Sequence, residues 1–427
     1  MVEKSSQKAW VLSVDMGYGH QRAAYPFEKF AYERIITVNS DKLTSESEQK
    51  LWSRIQGLYE TLSRLSESHF FGRFLFHLYD TFQKIQPLYP FRDLSAPSVA
   101  TYYMNRLLRK GICQSVLSYT QKESLPIITP FYLTALAAQR MGFKRIYCIV
   151  TDTDINRVWV SQKASENKIH YLVPNQRVVK RLQSYGVLTK HIHLTGFPLP
   201  TQLIGSVKKE ILKANLRQRL MNLDPHSVFL PTIKKSLLGS KKGTKHPLTL
   251  TFFIGGAGAQ TKIGFAIVRS LRKKILQKKI RVIIVAGTHL SVASQFSDLL
   301  ATLGLKHSSY IMIQKSLSKK EYFDECNTIL QTTDILWTKP SELSFYTALG
   351  IPIICSPPIG AHEIYNLRWL QQIGSGFEMD KVEAVDEWLF DWLEKGIFAK
   401  GAIDGFLFAE SLGTYNICAQ CGLVNVR

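Results

Sequence analysis

The sequence is short of acid. Its 427 residues carry 33 Asp and Glu against 54 Lys and Arg, a formal net charge of +21. That deficit excludes an acidic, solvating chain and predicts attraction to something anionic: a lipid surface, a nucleotide sugar or a nucleic acid. The excess is clustered. Ser206–Lys245 holds ten Lys and Arg against two acids, and Arg269–Arg281 holds seven against none. Long apolar runs are also missing. No stretch of about 18 apolar residues occurs, so no membrane-spanning helix is expected. The opening residues, MVEKSSQKAW, run straight into an apolar strand, and no signal peptide is expected. Cysteine is sparse, six residues scattered at 113, 148, 326, 355, 418 and 421, which excludes a disulfide-stapled scaffold. Cys148 and Cys355 lie in apolar runs and read as reduced core residues of a cytosolic protein. Cys418-Ala-Gln-Cys421 has no two further ligands nearby, so no metal is expected. No RNA- or DNA-binding motif appears, and nucleic acid is not an expected partner.

What is present is a foldable chain. Hydrophobic residues make up 45% and charged residues 20%, enough for a packed core, and the length predicts two domains. The stretch that organises the first is Trp10–Ala24, WVLSVDMGYGHQRAA. An apolar run suits a buried parallel strand, Met16–His20 reads as a tight turn with two glycines, and Gln21–Ala24 as the first turn of a helix. A helix N-terminus at a sheet edge favours an anion or a developing oxyanion. His20 is the side chain there that can exchange a proton near neutral pH. On spacing alone it either caps the turn or acts as a base.

Along the chain, Arg34–Val38 reads as a short strand and Ser45–Leu65 as a helix. Phe70–Gln86 reads as a second helix, apolar on one side, with Phe70, Phe76 and Tyr79 among Arg73, His77 and Lys84 on the other. That mixture suits a membrane interface or a helix packed on two sides. Ser98 caps a third helix running to Gly111. Ile112–Tyr119 and Pro126–Thr129 are strand-like, Pro130–Gly142 a helix, and Arg145–Val150 a buried strand stopping at Thr151-Asp152. Lys168–Pro174, Gln176–Gly186 and His191–Thr195 continue strand, helix, strand. Such alternation predicts a parallel, doubly wound sheet with ligands at the strand C-termini, where His20 and Asp152 both fall. Asp152 either orients the site or caps its own turn.

Lys208–Asn222 reads as a helix and Leu223–Lys245 as a basic linker or mobile loop. A second unit opens with the strand Leu248–Ile254, the turn Gly255-Gly256-Ala257-Gly258-Ala259-Gln260 and the helix Thr261–Gln277. Its glycines let a diphosphate approach the backbone, and the helix N-terminus supplies donors. No Gly-Lys-Ser/Thr follows, and no acid stands about 20 residues on, which disfavours a P-loop and a nicotinamide cofactor. Arg281–Ala286 ends at Gly287-Thr288-His289, and Ile335-Leu336-Trp337 ends at Thr338-Lys339-Pro340-Ser341-Glu342. Leu343–Leu349 reads as a helix, Ile353–Ser356 as a strand, and Pro357–Glu363 as a loop into another helix.

GYGHQRAA resembles the GGGH-x-x-A signature of monogalactosyldiacylglycerol synthases and related diacylglycerol glucosyltransferases. ITPFYLTAL, VTDTDINRVWV and LTGFPLP resemble later segments of their first domain. TKPSE, ALGIPII and PIGAHEIYN resemble the T-K-x-G, GLPIIL and PGQE-x-x-N segments of their donor half. The resemblance runs from about residue 10 to 376 and departs at Tyr18, Asn156, Phe345 and His362. It implies a GT-B-like α/β fold, two Rossmann-like doubly wound domains facing across a cleft. The expected division is 1–205 with a helical insert at 45–110, a basic linker 206–246, a donor domain 247–400, and a tail 401–427, with a crossing of the tail back to the first domain as the expectation for this architecture. It implies a sugar transferase using a nucleotide-diphosphate donor, a uridine one, and a lipid or cell-envelope acceptor, with no other cofactor and no obligate metal. His20 would be the base, with Asp152 beside it. Gly17, Tyr18, Gly19 and Asn156 would form the acceptor-side loops. Gly255, Gly256, Gly258, Gln260, Thr288, Lys339, Ser341, Glu342, His362 and Glu363 would hold the donor. The protein would work in the cytoplasm, docked at an anionic membrane surface. Two other readings stay open: a nucleotide-sugar epimerase of the same fold, and a binding protein that has kept the fold and lost turnover.

Overall fold

The computed structural model describes residues 7–65, 85–229, 233, 238, 245–255 and 260–424. The chain forms two compact units. The first comprises Met1–Pro198 with Gly360–Tyr365 and Leu412–Arg427, and the second Leu199–Ile359 with Asn366–Ser411.

Among the described residues, the first unit carries a six-stranded parallel sheet. Its strands are β1 (Trp10–Ser13), β2 (Ile36–Thr37), β3 (Ile127–Thr129), β4 (Ile146–Ile149), β5 (Ile169–Val173) and β6 (Ile192–Leu194), in the order β2-β1-β3-β4-β5-β6. Every residue of β1 is buried, as expected of a strand covered on both faces. Around the sheet lie α1 (Tyr18–Ala24), α2 (Glu46–Leu65), α3 (Val99–Arg109), α4 (Gln114–Thr120), α5 (Tyr132–Arg140) and α6 (Gln176–Ser184). Ser98 caps α3 through a capping box with Thr101.

Two readings are corrected here. Residues 112–119 are not a strand: Ile112 and Cys113 end a turn, and Gln114–Tyr119 belong to the helix α4. The apolar positions Ile112, Cys113, Val116 and Leu117 recur at helical spacing, and Val116 and Leu117 are buried by it. The turn after β1 is shorter than expected. Gly17 takes φ +92°, which completes the turn, so Tyr18, Gly19 and His20 already belong to α1. The Phe70–Gln86 reading lies outside the described residues except for Ile85 and Gln86.

The second unit has another six-stranded parallel sheet. Its strands are β7 (Thr249–Phe253), β8 (Arg281–Gly287), β9 (Ile311–Lys315), β10 (Ile335–Thr338), β11 (Ile353–Cys355) and β12 (Gly376–Glu378), in the order β12-β11-β10-β7-β8-β9. Its described helices include α7 (Glu210–Leu223), α8 (Thr261–Leu276), α9 (Leu290–Thr302) and α10 (Lys319–Gln331). The Leu343–Leu349 helix is a 3-10 helix, Glu342–Leu349, closed by Gly350 at φ +68°. α11 (Ala361–Gln372) precedes β12, and α12 (Val385–Glu394) and α13 (Ile397–Phe408) follow it.

The basic stretch 206–246 therefore contains α7, which belongs to the second unit. Arg219 on α7 is fully buried and donates to the carbonyls of Thr333, Leu349 and Gly350. Asn222 donates to Asp334 Oδ2 at 2.9 Å, and the Thr249 amide donates to the same oxygen at 2.8 Å. Burial pushes the Asp334 carboxyl up to about 8, against the pull of Arg219.

The last helix, α14 (Gly413–Gln420), belongs to the first unit. Ile417, Cys418, Cys421 and Leu423 share a core cluster with Val11, Phe27 and Leu172. Asn416 donates to the Thr195 carbonyl at 2.9 Å. Gly413 lies so close to the Phe197 carbonyl that a Cβ would sit 2.0 Å from its oxygen. The six cysteines are free thiols in buried positions. No described helix is long and apolar enough to cross a membrane.

Candidate active site

In the first unit β1, β3 and β4 are neighbours, so the residues after their C-terminal ends share one sheet edge. His20 follows β1, Pro130 follows β3, and Asp152 follows β4. The His20 Nδ1 atom lies 3.0 Å from the Pro130 carbonyl oxygen. A carbonyl only accepts, so Nδ1 carries the hydrogen and the neutral imidazole keeps its lone pair on Nε2. That is the tautomer a general base needs.

The turn that carries His20 is tied down. The Asp15 amide donates to Asn39 Oδ1 at 2.7 Å, Asn39 Nδ2 returns a bond to the Asp15 carbonyl at 3.0 Å, and Gln21 Nε2 donates to Asp15 Oδ1 at 3.0 Å. Asn39 thus splices the end of β2 to the turn after β1. Beside the imidazole stands an aromatic wall. The His20 ring meets Phe131 edge-on at 5.0 Å, Phe131 meets Tyr132 at 4.9 Å and Trp52 at 6.0 Å, and Tyr132 meets Trp159 at 5.2 Å. Burial pushes the Tyr132 phenol up to about 12, so it stays protonated.

Asp152 is half-buried on the loop after β4, and Asn156 stands four residues further on. This loop is fixed by a residue that sequence reasoning missed. Asp154 is fully buried and receives Arg177 Nε at 2.6 Å, Arg181 Nε at 2.8 Å and Arg181 Nη2 at 3.0 Å. Asn175 Nδ2 donates to the Thr153 carbonyl and Tyr185 Oη to the Ile155 carbonyl. The available signal was Arg177 and Arg181 at i, i+4 on an expected helix, both bases on one face.

In the second unit the neighbours are β10, β7 and β8, and the residues after them are Lys339, Gly255 and Thr288. Gly255 has φ +84°, and a Cβ there would lie 3.9 Å from Lys339 Cε. The lysine stem therefore passes beside the glycine turn. Gln260 is buried at the start of α8, and its Oε1 accepts from Ser356 Oγ at 3.2 Å. Ser356 in turn accepts from Trp337 Nε1 at 3.2 Å. The start of α8 is thereby tied to β10 and to the end of β11. Gly256 and Gly258 lie outside the described residues. The Ser341 amide donates to the Lys339 carbonyl at 2.8 Å, and Glu342 opens the 3-10 helix. His362 and Glu363 fall in the segment Gly360–Tyr365, which belongs to the first unit, whereas the other described donor candidates belong to the second.

The chain matches a family described as a domain of unknown function (DUF6938) over residues 239–326 and 311–422. It is 22% identical over 241 residues to a processive diacylglycerol beta-glucosyltransferase of Bacillus pumilus, covering 56% of this chain and 52% of that one. The Bacillus subtilis protein of the same name is 22% identical over 266 residues, 61% of this chain and 58% of its own. The chain thus spans little more than half the length of these relatives. An N-acetylmuramyl-(pentapeptide) pyrophosphoryl-undecaprenol N-acetylglucosamine transferase of Oenococcus oeni is 31% identical over 138 residues, 31% of this chain and 34% of that one. Among solved structures, MurG of Acinetobacter baumannii is similar with a TM-score of 0.45 and 12% identity, over 77% of this chain and 80% of that chain.

Proposed function

We propose that this chain, a divergent relative of the GT-B glycosyltransferases, moves a sugar from a nucleotide-diphosphate donor to a lipid or envelope acceptor at a membrane surface. The observation that carries the reading is the His20–Pro130 bond, which keeps the imidazole lone pair on Nε2 at the C-terminal edge of a parallel sheet. In the proposed step the acceptor hydroxyl gives its proton to His20 Nε2 as its oxygen bonds to the anomeric carbon. The bond from that carbon to the phosphate oxygen breaks, and the diphosphate leaves with the electron pair. Asp152 balances the imidazolium charge. A positioned base of this kind is worth roughly 10²–10⁴-fold in rate.

The turn at Gly255, the start of α8 at Gln260 and the Lys339 ammonium are assigned to the leaving diphosphate, with Thr288 after the neighbouring strand β8, and Ser341 and Glu342 just beyond Lys339, to hold the rest of a uridine-type donor. The names of the Bacillus relatives support a diacylglycerol-type acceptor. A membrane surface is supported by exposed aromatics in the first unit. Tyr89 is 61% exposed, Phe91 59% and Tyr102 56%, and Arg92, Arg106, Arg109 and Lys110 are exposed beside them in the chain.

The test is a thermal-shift screen of nucleotide sugars, followed by mass spectrometry of lipid extracts incubated with the donor that binds. A glycosylated lipid supports the reading. Binding by none of the donors overturns it. Release of nucleotide without any glycosylated product favours the epimerase-type chemistry instead.

A further inference from the structure

Gln260 opens α8, yet its side chain does not cap its own helix. The residue is 4% exposed, and its Oε1 accepts from Ser356 Oγ at 3.2 Å. Its Nε2 donors have no partner among the described residues. Unmatched donors on a buried side chain at a helix N-terminus suit an anion that arrives from outside the chain.

The direction of that amide is set from behind. An indole N–H only donates, so Trp337 Nε1 takes a lone pair of Ser356 Oγ at 3.2 Å. Ser356 is fully buried, and its hydroxyl has one hydrogen to place. That hydrogen goes to Gln260, where only Oε1 can accept it. Turning the amide over would orphan the buried hydroxyl hydrogen and present a carbonyl oxygen in place of the donors. The relay therefore runs one way, from Trp337 through Ser356 to Gln260. Its root is held by packing: the buried Trp337 indole meets Phe252 at 6.1 Å and Trp388 at 5.6 Å. The Ser356 amide donates to the Thr338 carbonyl at 3.0 Å, one residue before Lys339, and the Lys339 stem passes the Gly255 turn. The relay thus ties Gln260 to the strand end that carries Lys339.

We propose that Ser356 and Trp337 are positioning residues for the donor diphosphate: they hold the Gln260 amide with its N–H donors, and not its carbonyl, toward the phosphate oxygens. Neither residue touches the donor. Each acts through Gln260, which adds a neutral, directional contact to the charge of Lys339. The inference rests on the donor half of the proposed function and not on the acceptor or the membrane surface.

The test is calorimetry of uridine diphosphate binding to the full chain, with no acceptor and no turnover. Gln260→Ala should weaken binding about tenfold, the scale of one hydrogen bond to a charged group. Gln260→Glu still accepts from Ser356, so its melting temperature should stay at the parent value. It sets a carboxylate oxygen where the donors were, and its affinity should fall at least as far. Ser356→Ala frees the amide to turn over and should weaken binding about threefold or more. Ser356→Thr keeps the hydroxyl and should restore the parent affinity. A relay that serves packing alone would leave the Gln260→Glu affinity unchanged. Parent affinity in Gln260→Ala, Gln260→Glu or Ser356→Ala would overturn this assignment and leave the donor site standing. A parent protein that binds no nucleoside diphosphate would remove both.

Discussion

The His20 imidazole donates through Nδ1 to the Pro130 carbonyl at 3.0 Å, and this bond joins the helix after β1 to the residue after β3. It fixes the tautomer of the neutral ring. It also sets the ring against Phe131, the next residue in the chain.

His20→Ala should lower the rate of sugar transfer by about 10²-fold or more, the scale of a lost general base. Donor affinity by calorimetry and the melting temperature should stay close to those of the parent protein. An unchanged turnover would leave His20 with a role in shaping the turn only.

Lys339→Ala should weaken nucleotide-sugar affinity by roughly tenfold, about 1.4 kcal/mol, because an ammonium beside the glycine turn is lost. Lys339→Arg should recover part of that loss. Equal affinities in all three proteins would remove the lysine from the donor site.

Tyr89→Ser with Phe91→Ser should reduce co-sedimentation with phosphatidylglycerol vesicles at high salt, where the charge contribution is screened. The two rings touch edge-on at 4.9 Å and are both mostly exposed, so folding should not suffer. Wild-type protein that ignores anionic vesicles at low salt would rule out the membrane surface.

Asp154→Ala should destabilise the first unit by about 3–5 kcal/mol, since it leaves the buried Arg181 guanidinium without its carboxylate. Chemical denaturation measures this. The double change Asp154→Leu/Arg181→Met should be less harmful than the single one, because it removes both charges together.

Acid should weaken the first unit through three histidines. His170 Nδ1 lies 2.9 Å from His193 Nε2, and the His170 ring packs on those of His191 and His193. Burial, then the charges of His191 and His193, push His170 down to about 4 from 6.5, and burial lowers the other two. The folded state therefore binds fewer protons than the unfolded one below pH 6.5. This contribution is whole above that pH and is lost as pH falls towards 4. Discounted for exposure to water, it amounts to on the order of 1–2 kcal/mol. Denaturation midpoints between pH 7 and 4.5 should show it, and His170→Gln should flatten the slope.

The architecture was largely legible because buried parallel strands announce themselves. WVLS, RIYCIV and LTLTFFI are mostly apolar, and a glycine turn follows the first and the third. The miss at 112–119 came from a short apolar run whose helical spacing spans only two turns. Which side chains meet was less legible. His20 was visible as a titratable group at a turn, but its partner is a backbone carbonyl 110 residues away, which no side-chain pattern announces. Asp152 drew attention as the first acid after β4, while the carboxylate that holds the loop is Asp154. The donor candidates after β7, β8 and β10 share an edge because of strand order, which sequence proximity does not reveal.

The placement of α14 in the first unit has a consequence for synthesis. A ribosome releases the last strand of that unit, β6, some 200 residues before it makes the helix that seals Val11, Phe27 and Leu172. At roughly 5–20 residues per second the nascent sheet waits on the order of 10–40 s with that face open. During the wait, the growing second unit is made while the first is still incomplete. A chaperone that shields apolar surface early in translation would therefore act mainly on this one face of the sheet, and arrest of synthesis before residue 413 would leave it permanently uncovered.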